Sequence, residues 1–306
     1  MHDLDGRVVL VTGASSGIGE AAAGQLAERG AHVVMLCRSE ERGAAARDRI
    51  SRTAPSGSTE LLVADLSRQA EVRAAADAFF ARLDRLHSLI NYAGVGYQAE
   101  RTLTEDGEEL TFAVNVVAPF LLSRLLEPAL RRAADDAPGA GRIVHVAGMM
   151  HGRVPLNFGD PTFAEGWGYM DVASHSKLAL IMLAMAEARR LEGSGVTVTS
   201  LHPGAARTNV QKGFPFPLAL LVGFARLFFP GPGAAARHVV RLAVDPDLAA
   251  VTGTYFMKAK PALPAPMARD EDAQDRLVAL LEARVVASGD ATERAPRVAP
   301  RSPDPG

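Results

Sequence analysis

The chain alternates short apolar runs with longer segments in which apolar residues recur at helical spacing. Seven runs have the length of strands: RVVLVTG, HVVMLC, ELLVAD, HSLINYAG, GRIVHVAG, VTVTSLHPG and GTYFM. Intervening segments such as EAAAGQLAERG place apolar residues three and four apart, as an amphipathic helix does. Strands that are apolar on both faces and separated by helices predict a parallel sheet covered by helices on both sides. We therefore expect an α/β fold.

This alternation continues without a linker to about residue 286, which predicts one domain over residues 1–286. Residues 287–306 are rich in Pro, Arg and Asp without a period, so we expect a flexible tail there. Hydrophobic residues make up 48% of the chain, enough for a buried core. The net charge of −2 gives no reason to expect a nucleic acid or an anionic membrane as partner.

No segment predicts a membrane span or export. The first residues, MHDLDGRVVL, lead directly into a strand and lack the layout of a signal peptide. The single cysteine, Cys37, excludes an intrachain disulfide and fits a reducing compartment, so a cytoplasmic location is expected. The most apolar window, residues 214–230, is interrupted by Pro and Arg226 and is too short to span a bilayer. We expect residues 210–232 to be buried or to cover a substrate.

A glycine-rich turn follows the first strand. In VTGASSGIGE the glycines are spaced Gly-x-x-x-Gly-x-Gly, directly before a helical segment. Glycine lets the backbone turn tightly and approach a pyrophosphate, and the helix then directs its unpaired N–H groups at the anion. Between a strand and an amphipathic helix, such a turn favours nucleotide binding over a purely structural role. The predicted contacts are Gly13, Ser15, Ser16, Gly17, Ile18 and Gly19.

The second strand ends with Cys37 and Arg38. An acidic residue there would favour NAD, whereas a guanidinium suits the 2′-phosphate of NADP. The sequence therefore predicts NADP, the alternative being that Arg38 only ends the strand at the surface. Asp65 and Leu66, at the end of the third strand, are placed to contact adenine, although Asp65 could equally cap a helix.

The chain resembles the short-chain dehydrogenase/reductase family, particularly its retinol-dehydrogenase-like branch. The resemblance covers about residues 5–286 and rests on TGASSGIG, DL, NYAG, TEDGEELTFAVNVVAPFLL, GRIVHVAG, HSKLAL, HPGAART and VTGTYF. It implies a Rossmann-type, doubly wound parallel sheet of about seven strands and a bound nicotinamide dinucleotide. It also implies hydride transfer to or from a carbonyl or alcohol carbon, and a homodimer formed through the helices that hold Asn115 and Lys177.

The resemblance assigns roles to individual residues. Asn115 matches the asparagine that holds a water in the family's proton relay, and Lys177 matches the lysine that binds the nicotinamide ribose. Tyr92 replaces the second Asn of the family's Asn-Asn-Ala-Gly, a position that supports the sheet. The cofactor contacts implied beyond the third strand are Asn91, Ala93, Gly94, Lys177, Pro203, Gly204 and Thr208.

The two residues that carry the family's acid–base chemistry are missing. Gly148 stands where a serine would hold the substrate oxygen, and Ala173 stands where a tyrosine would precede Lys177 by four residues. Losing a general acid lowers a rate by about 10² to 10⁴. A member of the family that relied on these groups would be crippled.

Three side chains are candidates to supply the missing proton: Tyr97, His151 and Tyr169. Packing within a loop is the alternative for each of them, and the preceding EGWGY makes a helix that reaches back to Tyr169 doubtful. Four further polar residues are expected to be structural or too weak as acids: His145, Ser174, His175 and His202.

The combined expectation is an NADP-dependent reductase of a ketone on a large apolar substrate, such as a polycyclic polyketide. A phenol or enol of the substrate, or a non-standard residue, would supply the proton. One alternative is a cyclase, dehydratase or isomerase on the same fold, with NADP as a structural remnant. The other is a regulator that binds NADP without catalysis. No metal site is predicted.

Overall fold

A single sheet forms the centre of the molecule. The computed structural model describes residues 3–54, 56–137, 139–204, 206 and 230–293, with side chains described to residue 285. Within these ranges the strands are β1 (Val8–Thr12), β2 (His32–Cys37), β3 (Ser58–Val63), β4 (Ser88–Asn91), β5 (Gly141–Val146), β6 (Val196–His202), β7 (Thr254–Met257) and β8 (Lys260–Pro261). Their order is β3-β2-β1-β4-β5-β6-β7-β8. Neighbouring strands are parallel except β7 and β8.

The predicted α/β fold with a doubly wound sheet is thus confirmed, with one strand more than the seven apolar runs. The extra strand is β8, an antiparallel edge strand of two residues. It pairs through a tight turn at Lys258 and Ala259 rather than through an apolar run, so hydrophobic periodicity gives no signal for it.

Helices cover both faces of the sheet. They are α1 (Gly17–Glu28), α2 (Glu40–Thr53), α3 (Gln69–Phe80), α4 (Leu110–Ala134), α5 (Tyr169–Arg190), α6 (Pro232–Val244) and α7 (Glu271–Glu293). Helices α1, α2 and α6 share one apolar core, and α3, α4, α5 and α7 build the cores of the opposite face. The segment Ala113–Val117 within α4 is a π-helix. Of the described helices, α4 alone is long and apolar enough to cross a membrane, but most of it is buried as a core helix.

The strands alternate between these cores, residue by residue. In β1, Val9 and Val11 pack into the core of α1, while Leu10 packs into the core of α3. All three side chains are fully buried. A strand of a parallel sheet is buried on both faces, which is why these sequences read as continuous apolar runs.

The structure differs from the predicted end of the domain and describes little of the predicted covering segment. Helix α7 continues to Glu293, past the predicted domain end at residue 286, and it ends close to Pro296, which cannot continue a helix. Residues 287–293 of the predicted tail therefore belong to this helix, and residues 294–306 lie outside the described residues. Of the predicted covering segment 210–232, only residues 230–232 are described.

Candidate functional site

A cleft opens at the carboxyl ends of the strands where the strand order reverses. The chain proceeds from β1 to β2 and β3 on one side, whereas β4 lies on the other side of β1. Open α/β sheets bind ligands at such a crevice. The cleft has a volume of about 600 Å³. It is lined by Gly13, Ser15, Ser16, Gly17, Leu36, Arg38, Arg42, Ala64, Asp65, Leu66, Tyr92, Ala93, Gly94, Val95, Gly96, Gln98, Leu110 and Val114.

Most of the cofactor contacts predicted before residue 95 therefore line one cleft. Ile18, Gly19 and Asn91 instead lie behind its wall. Ile18 and Gly19 are buried in the first turn of α1, and the Asn91 amide lies 3.3 Å from Nδ1 of His145. Pro203 and Gly204 follow β6, farther along the same edge of the sheet. Thr208 lies outside the described residues.

At Gly13 and Gly19 the glycine-rich turn has no room for a side chain. Gly13 adopts φ 71°, and a Cβ added to it would lie 2.9 Å from the Cα of Ala93. A Cβ on Gly19 would lie 2.6 Å both from the carbonyl oxygen of Gly13 and from Cδ1 of Tyr92. The side chain of Ser16 makes no capping hydrogen bond, so the first N–H groups of α1 remain available to an anion.

A buried threonine hydroxyl fixes the opposite wall. Oγ1 of Thr12 accepts hydrogen bonds from the backbone N–H groups of Tyr92 at 3.0 Å and Ala93 at 2.9 Å. It donates to the carbonyl oxygen of Ile90 at 3.4 Å. Sequence reasoning gave Thr12 no role, although a polar residue at the end of an apolar strand was the available signal.

Two arginines lie at the end of the cleft formed by β2 and α2. Both Arg38 and Arg42 line it. Ser39 caps α2 by accepting a hydrogen bond from the N–H of Arg42 at 3.3 Å. Arg42 was missed because the sequence argument stopped at the strand end. Its place in the first turn of the next helix, close behind Arg38, was the signal that could have found it.

Asp65 organises the turn between β3 and α3. Its Oδ1 accepts hydrogen bonds from the N–H and the hydroxyl of Ser67, at 2.9 and 2.8 Å. Its own N–H donates to Glu71 at 2.7 Å. The N-cap of α3 is Arg68. Asp65 is therefore not the helix cap, and it lines the cleft beside Leu66.

Asn115 connects the loop after β4 to α5. Its Oδ1 accepts a hydrogen bond from the N–H of Val95 at 3.2 Å, and its Nδ2 donates to Oγ of Ser176 at 3.0 Å. The Ser176 hydroxyl in turn donates to the carbonyl oxygen of Ala173 at 2.9 Å. The π-helical segment that carries Asn115 thus meets α5 where the family's tyrosine would stand.

The ammonium of Lys177 lies beside this connection. Its Nζ donates to the carbonyl oxygen of Val146 at 3.3 Å, and a Cβ on Gly94 would lie 3.8 Å from it. Part of the side chain is accessible, yet its surroundings are crowded enough that burial lowers the pKa of Lys177 to about 8. No carboxylate of the described residues offsets this shift.

Glycine and alanine stand at the two positions of the corner formed by Gly148, Ala173 and Lys177 where the family has its serine and tyrosine. Gly148 has extended backbone, with φ −163° and ψ 171°, which any residue can adopt. A Cβ there would lie 3.4 Å from Cγ of Lys177, an ordinary contact distance. Ala173 lies one helical turn before Lys177 on α5. Neither small residue is therefore required by the backbone around it.

Two of the candidate proton donors pack against each other. The rings of Tyr97 and Tyr169 meet edge to face, with centroids 5.1 Å apart. Helix α5 begins at Tyr169, so the helix does extend that far, contrary to the sequence expectation. Tyr169 lies two turns before Lys177. Burial raises the pKa of Tyr169, which makes its phenol a weaker acid than usual.

His151, the third candidate, lies against Gly148. Its Nδ1 is 2.9 Å from the carbonyl oxygen of Gly148, which also accepts a hydrogen bond from the hydroxyl of Tyr255 at 3.3 Å. The His151 and Tyr255 rings meet edge to face at 5.0 Å. Because a carbonyl only accepts, Nδ1 carries a proton, and Nε2 is the ring atom that remains to exchange one.

Of the four polar residues expected to be structural or too weak as acids, three make contacts within the fold. His145 pairs with Glu187 at 2.8 Å in the core. His175 accepts a hydrogen bond from the N–H of Asn157 at 3.1 Å, and burial lowers the pKa of His175 to about 4. Ser174 donates to a backbone carbonyl of the turn after β5. Across the described part of the chain, no three His, Cys, Asp or Glu side chains group as metal ligands.

Comparison with known proteins agrees with this geometry. The family described as short chain dehydrogenase matches residues 7–215. Mouse retinol dehydrogenase 14 is 36% identical over 297 residues, covering 92% of this chain and 86% of the relative. Human retinol dehydrogenase 11 is 36% identical over 280 residues, covering 90% and 84%.

Solved structures are similar over most of their length. The Pseudomonas aeruginosa RhlG/NADP active-site complex has a TM-score of 0.66 and 29% identity, and the match covers 83% of this chain and 95% of that one. A structure from Mycobacterium paratuberculosis has a TM-score of 0.72 and 27% identity, covering 93% and 96%.

Proposed function

The chain belongs to the short-chain dehydrogenase/reductase family, and we propose that it is an NADP-dependent reductase of a ketone on a large apolar substrate. A polycyclic polyketide is the substrate class that fits best, because its ketones have neighbouring phenols or enols. The proposal rests on a contrast within one site. The dinucleotide cradle and Lys177 are present, whereas Gly148 and Ala173 replace the family's own serine and tyrosine.

The cradle fits a dinucleotide. Side chains at Gly13 or Gly19 would collide with Ala93, Tyr92 or the turn itself, so glycine keeps the turn tight, and the uncapped N-terminus of α1 is available to a pyrophosphate. Arg38 and Arg42 support a preference for NADP, since two guanidinium groups suit a phosphate on the adenosine ribose. When NADPH is bound, it supplies the hydride.

The chain's own residues would orient the reactants. Lys177 would hold the nicotinamide ribose, and Pro203 and Gly204 would border the nicotinamide. Asn115 fixes the loop after β4 against α5 through its two hydrogen bonds, which keeps the corner rigid. No phenol stands at Ala173, and the proton for the growing alkoxide would come from a hydroxyl of the substrate beside the carbonyl.

Donation of the proton by a nearby side chain is less well supported. The pKa of Tyr169 is raised by burial, and the Tyr169 ring packs on Tyr97. His151 has one nitrogen committed to Gly148. A substrate hydroxyl already hydrogen-bonded to the ketone needs no such positioning. The space left by Ala173 and Gly148 would also admit a wider ring system than the family's tyrosine allows.

The test uses a matched pair of ketones. Peri-hydroxytetralone has a phenol hydrogen-bonded to its ketone, and its methyl ether does not. With NADPH deuterated at the transferable position, the hydroxy ketone should give a labelled alcohol. It should react about 10² to 10⁴ faster than the ether, as expected for a lost general acid. Equal rates would reject substrate assistance, and conversion without label would favour the non-redox alternative. Tight NADPH binding with no conversion of any ketone would favour the regulator.

A further inference from the structure

Basic side chains converge at the carboxyl ends of β5, β6 and β7. His151 follows β5, His202 ends β6, Lys258 follows β7, and Lys177 approaches from α5. We call these four residues the basic cluster. His202 is half-buried, and it is close enough to the other three that their charges add to burial in lowering its pKa. No carboxylate acts in the opposite direction on His202.

Backbone contacts hold the cluster in place. The N–H of Lys258 donates to the carbonyl oxygen of His202 at 2.8 Å. The Lys258 side chain lies over Gly204, with its Cε 3.2 Å from the position of a Cβ there. On the other side, the Gly148 carbonyl oxygen lies 2.9 Å from Nδ1 of His151, and Cγ of Lys177 lies 3.4 Å from the point that a Cβ on Gly148 would occupy. The cluster therefore borders both the corner and the predicted nicotinamide segment.

Few acidic residues lie in the described segments next to the cluster. None lies in residues 147–159 or 258–269, although the segment between β5 and α5 goes on to Asp160 and Glu165. Asp171, in the first turn of α5, pairs with Arg153 at 2.8 Å. Burial and then the charge of Lys258 lower the pKa of His238 on α6, so this imidazole also lies near the cluster. The phenol of Tyr255 lies beside the cluster as well and donates to the carbonyl oxygen of Gly148.

Lys258 is kept in an unfavourable backbone conformation. It adopts φ 58° in the turn between β7 and β8, a region that favours glycine or asparagine. This conformation is unfavourable for a residue with a Cβ, such as lysine. Strain of this kind is often found at functional sites. The turn places the Lys258 side chain over Gly204, at the edge of the site.

We propose that the basic cluster binds the negative charge of a substrate that ionises beside its reacting carbonyl, namely the phenolate or enolate oxygen. The ammonium groups of Lys177 and Lys258 attract an anion, and the imidazoles of His151 and His202 can donate hydrogen bonds to it. A substrate recognised in this way is an apolar ring system with an acidic hydroxyl next to a ketone.

This inference rests on the proposed function for its chemical step. The ketone carbon accepts a hydride from NADPH, which is thereby oxidised, and the carbonyl π electrons become an alkoxide lone pair. The alkoxide takes the proton of the neighbouring phenol, whose O–H electron pair stays on the phenol oxygen. The product is an alcohol with an adjacent phenolate, and the basic cluster holds that charge until the phenolate is reprotonated by solvent.

The test measures binding without any reduction. Para-nitrophenol is the probe, because its phenolate absorbs visible light, and para-nitroanisole is its neutral counterpart. With NADP bound, the protein should lower the apparent pKa of para-nitrophenol by about one unit, which corresponds to roughly tenfold preference for the phenolate. The nitroanisole should bind about tenfold more weakly near neutral pH.

Three variants assign the effect to the cluster. Lys258→Met and His202→Gln should each remove most of the preference, since each deletes one donor without filling the site. Lys260→Met is the matched control, because this exposed lysine of β8 is not among the charges that act on His202. An unchanged pKa of the probe, equal binding of the two compounds, or an equal effect of the Lys260 variant would overturn the proposal.

The two proposals can fail separately. Phenolate preference without deuterium transfer to any ketone would keep the anion site and reject the reductase. Deuterium transfer without phenolate preference would keep the reductase and reject the anion site.

Discussion

The Cγ atom of Lys177 lies 3.4 Å from the point that a Cβ on Gly148 would occupy. The two residues belong to α5 and to the end of β5, which meet at the corner where the family performs its proton transfer. Gly148 has ordinary extended backbone, so a serine would fit without strain. The backbone at this position therefore does not exclude the family's serine.

The first prediction reverses the two substitutions at this corner. Ala173→Tyr should lower turnover of the hydroxy ketone, because its ring occupies the space left for a wide substrate. The double variant Gly148→Ser with Ala173→Tyr should gain about 10²-fold or more on the methyl ether, since it regains an acid and a donor to the oxyanion. Steady-state rates on both ketones measure these changes.

Gly152→Ser is the control for this pair, because a Cβ there meets only Ala265, at 3.9 Å. The control should leave both rates unchanged. Faster turnover of the hydroxy ketone by Ala173→Tyr would contradict the idea that the corner is kept open for the substrate.

The second prediction concerns the arginines at the adenosine end of the cleft. Arg42→Gln and Arg38→Gln should each weaken NADPH binding by about tenfold or more and leave NADH binding nearly unchanged, because only NADPH has the extra phosphate. Calorimetry gives both dissociation constants. Arg47→Gln, in the same helix but paired with Asp48 at 3.6 Å, is the control. Equal affinity of the wild type for the two cofactors would refute the NADP preference.

Much of the fold could be predicted because its signals are local. Strands β1 to β7 each overlap an apolar run, and the runs are most continuous where a strand is buried on both faces, as in β1 and β2. The edge strand β3, STELLV, is partly exposed and mixes polar with apolar residues. The sequence argued against a helix that reaches back to Tyr169, and this expectation was wrong for a different reason. EGWGY lacks helical periodicity, yet Tyr169 begins the helix and its ring packs on Tyr97, a contact distant in sequence.

Site residues could be predicted from the sequence where the backbone conformation requires a particular residue type. They were harder to predict where contacts between residues distant in sequence bring them to the site. Gly13 has positive φ and no space for a side chain, and the glycine motif in the sequence indicates both features. Tyr255, in contrast, looks like any strand residue. Its role becomes visible only because β7 lies beside β6, which brings its hydroxyl to the carbonyl of Gly148. The basic cluster joins three strand ends for the same reason.

The third prediction concerns a polar pair in the core. His145 and Glu187 are 2.8 Å apart, and both side chains are essentially inaccessible to solvent. Glu187→Ala should lower the free energy of unfolding by about 3 to 5 kcal/mol, because it leaves a buried imidazole without its partner. Arg153→Gln, which removes an exposed pair with Asp171, should change it by about 1 kcal/mol or less. Urea unfolding compares the two, and equal effects would contradict this account.

The last prediction follows from the position of the Lys177 ammonium. Its pKa lies at about 8 in the fold, below the 10.5 of an unburied lysine. If the charged form binds the ribose and supports the anion, kcat/KM for reduction should fall as the pH rises past about 8. Lys177→Arg should keep the charge and move this alkaline limb to higher pH, because a guanidinium stays protonated.

The same shift has a defined sign for stability. Because the pKa of Lys177 is lower in the fold than in the unfolded chain, the charged ammonium opposes folding below pH about 8, and this penalty is relieved as the pH rises from there towards 10.5. Lys177→Met should therefore raise the free energy of unfolding at neutral pH while reducing activity. Two results would contradict this account. One is an alkaline limb of kcat/KM that stays in place in Lys177→Arg, and the other is a Lys177→Met variant that is less stable at neutral pH.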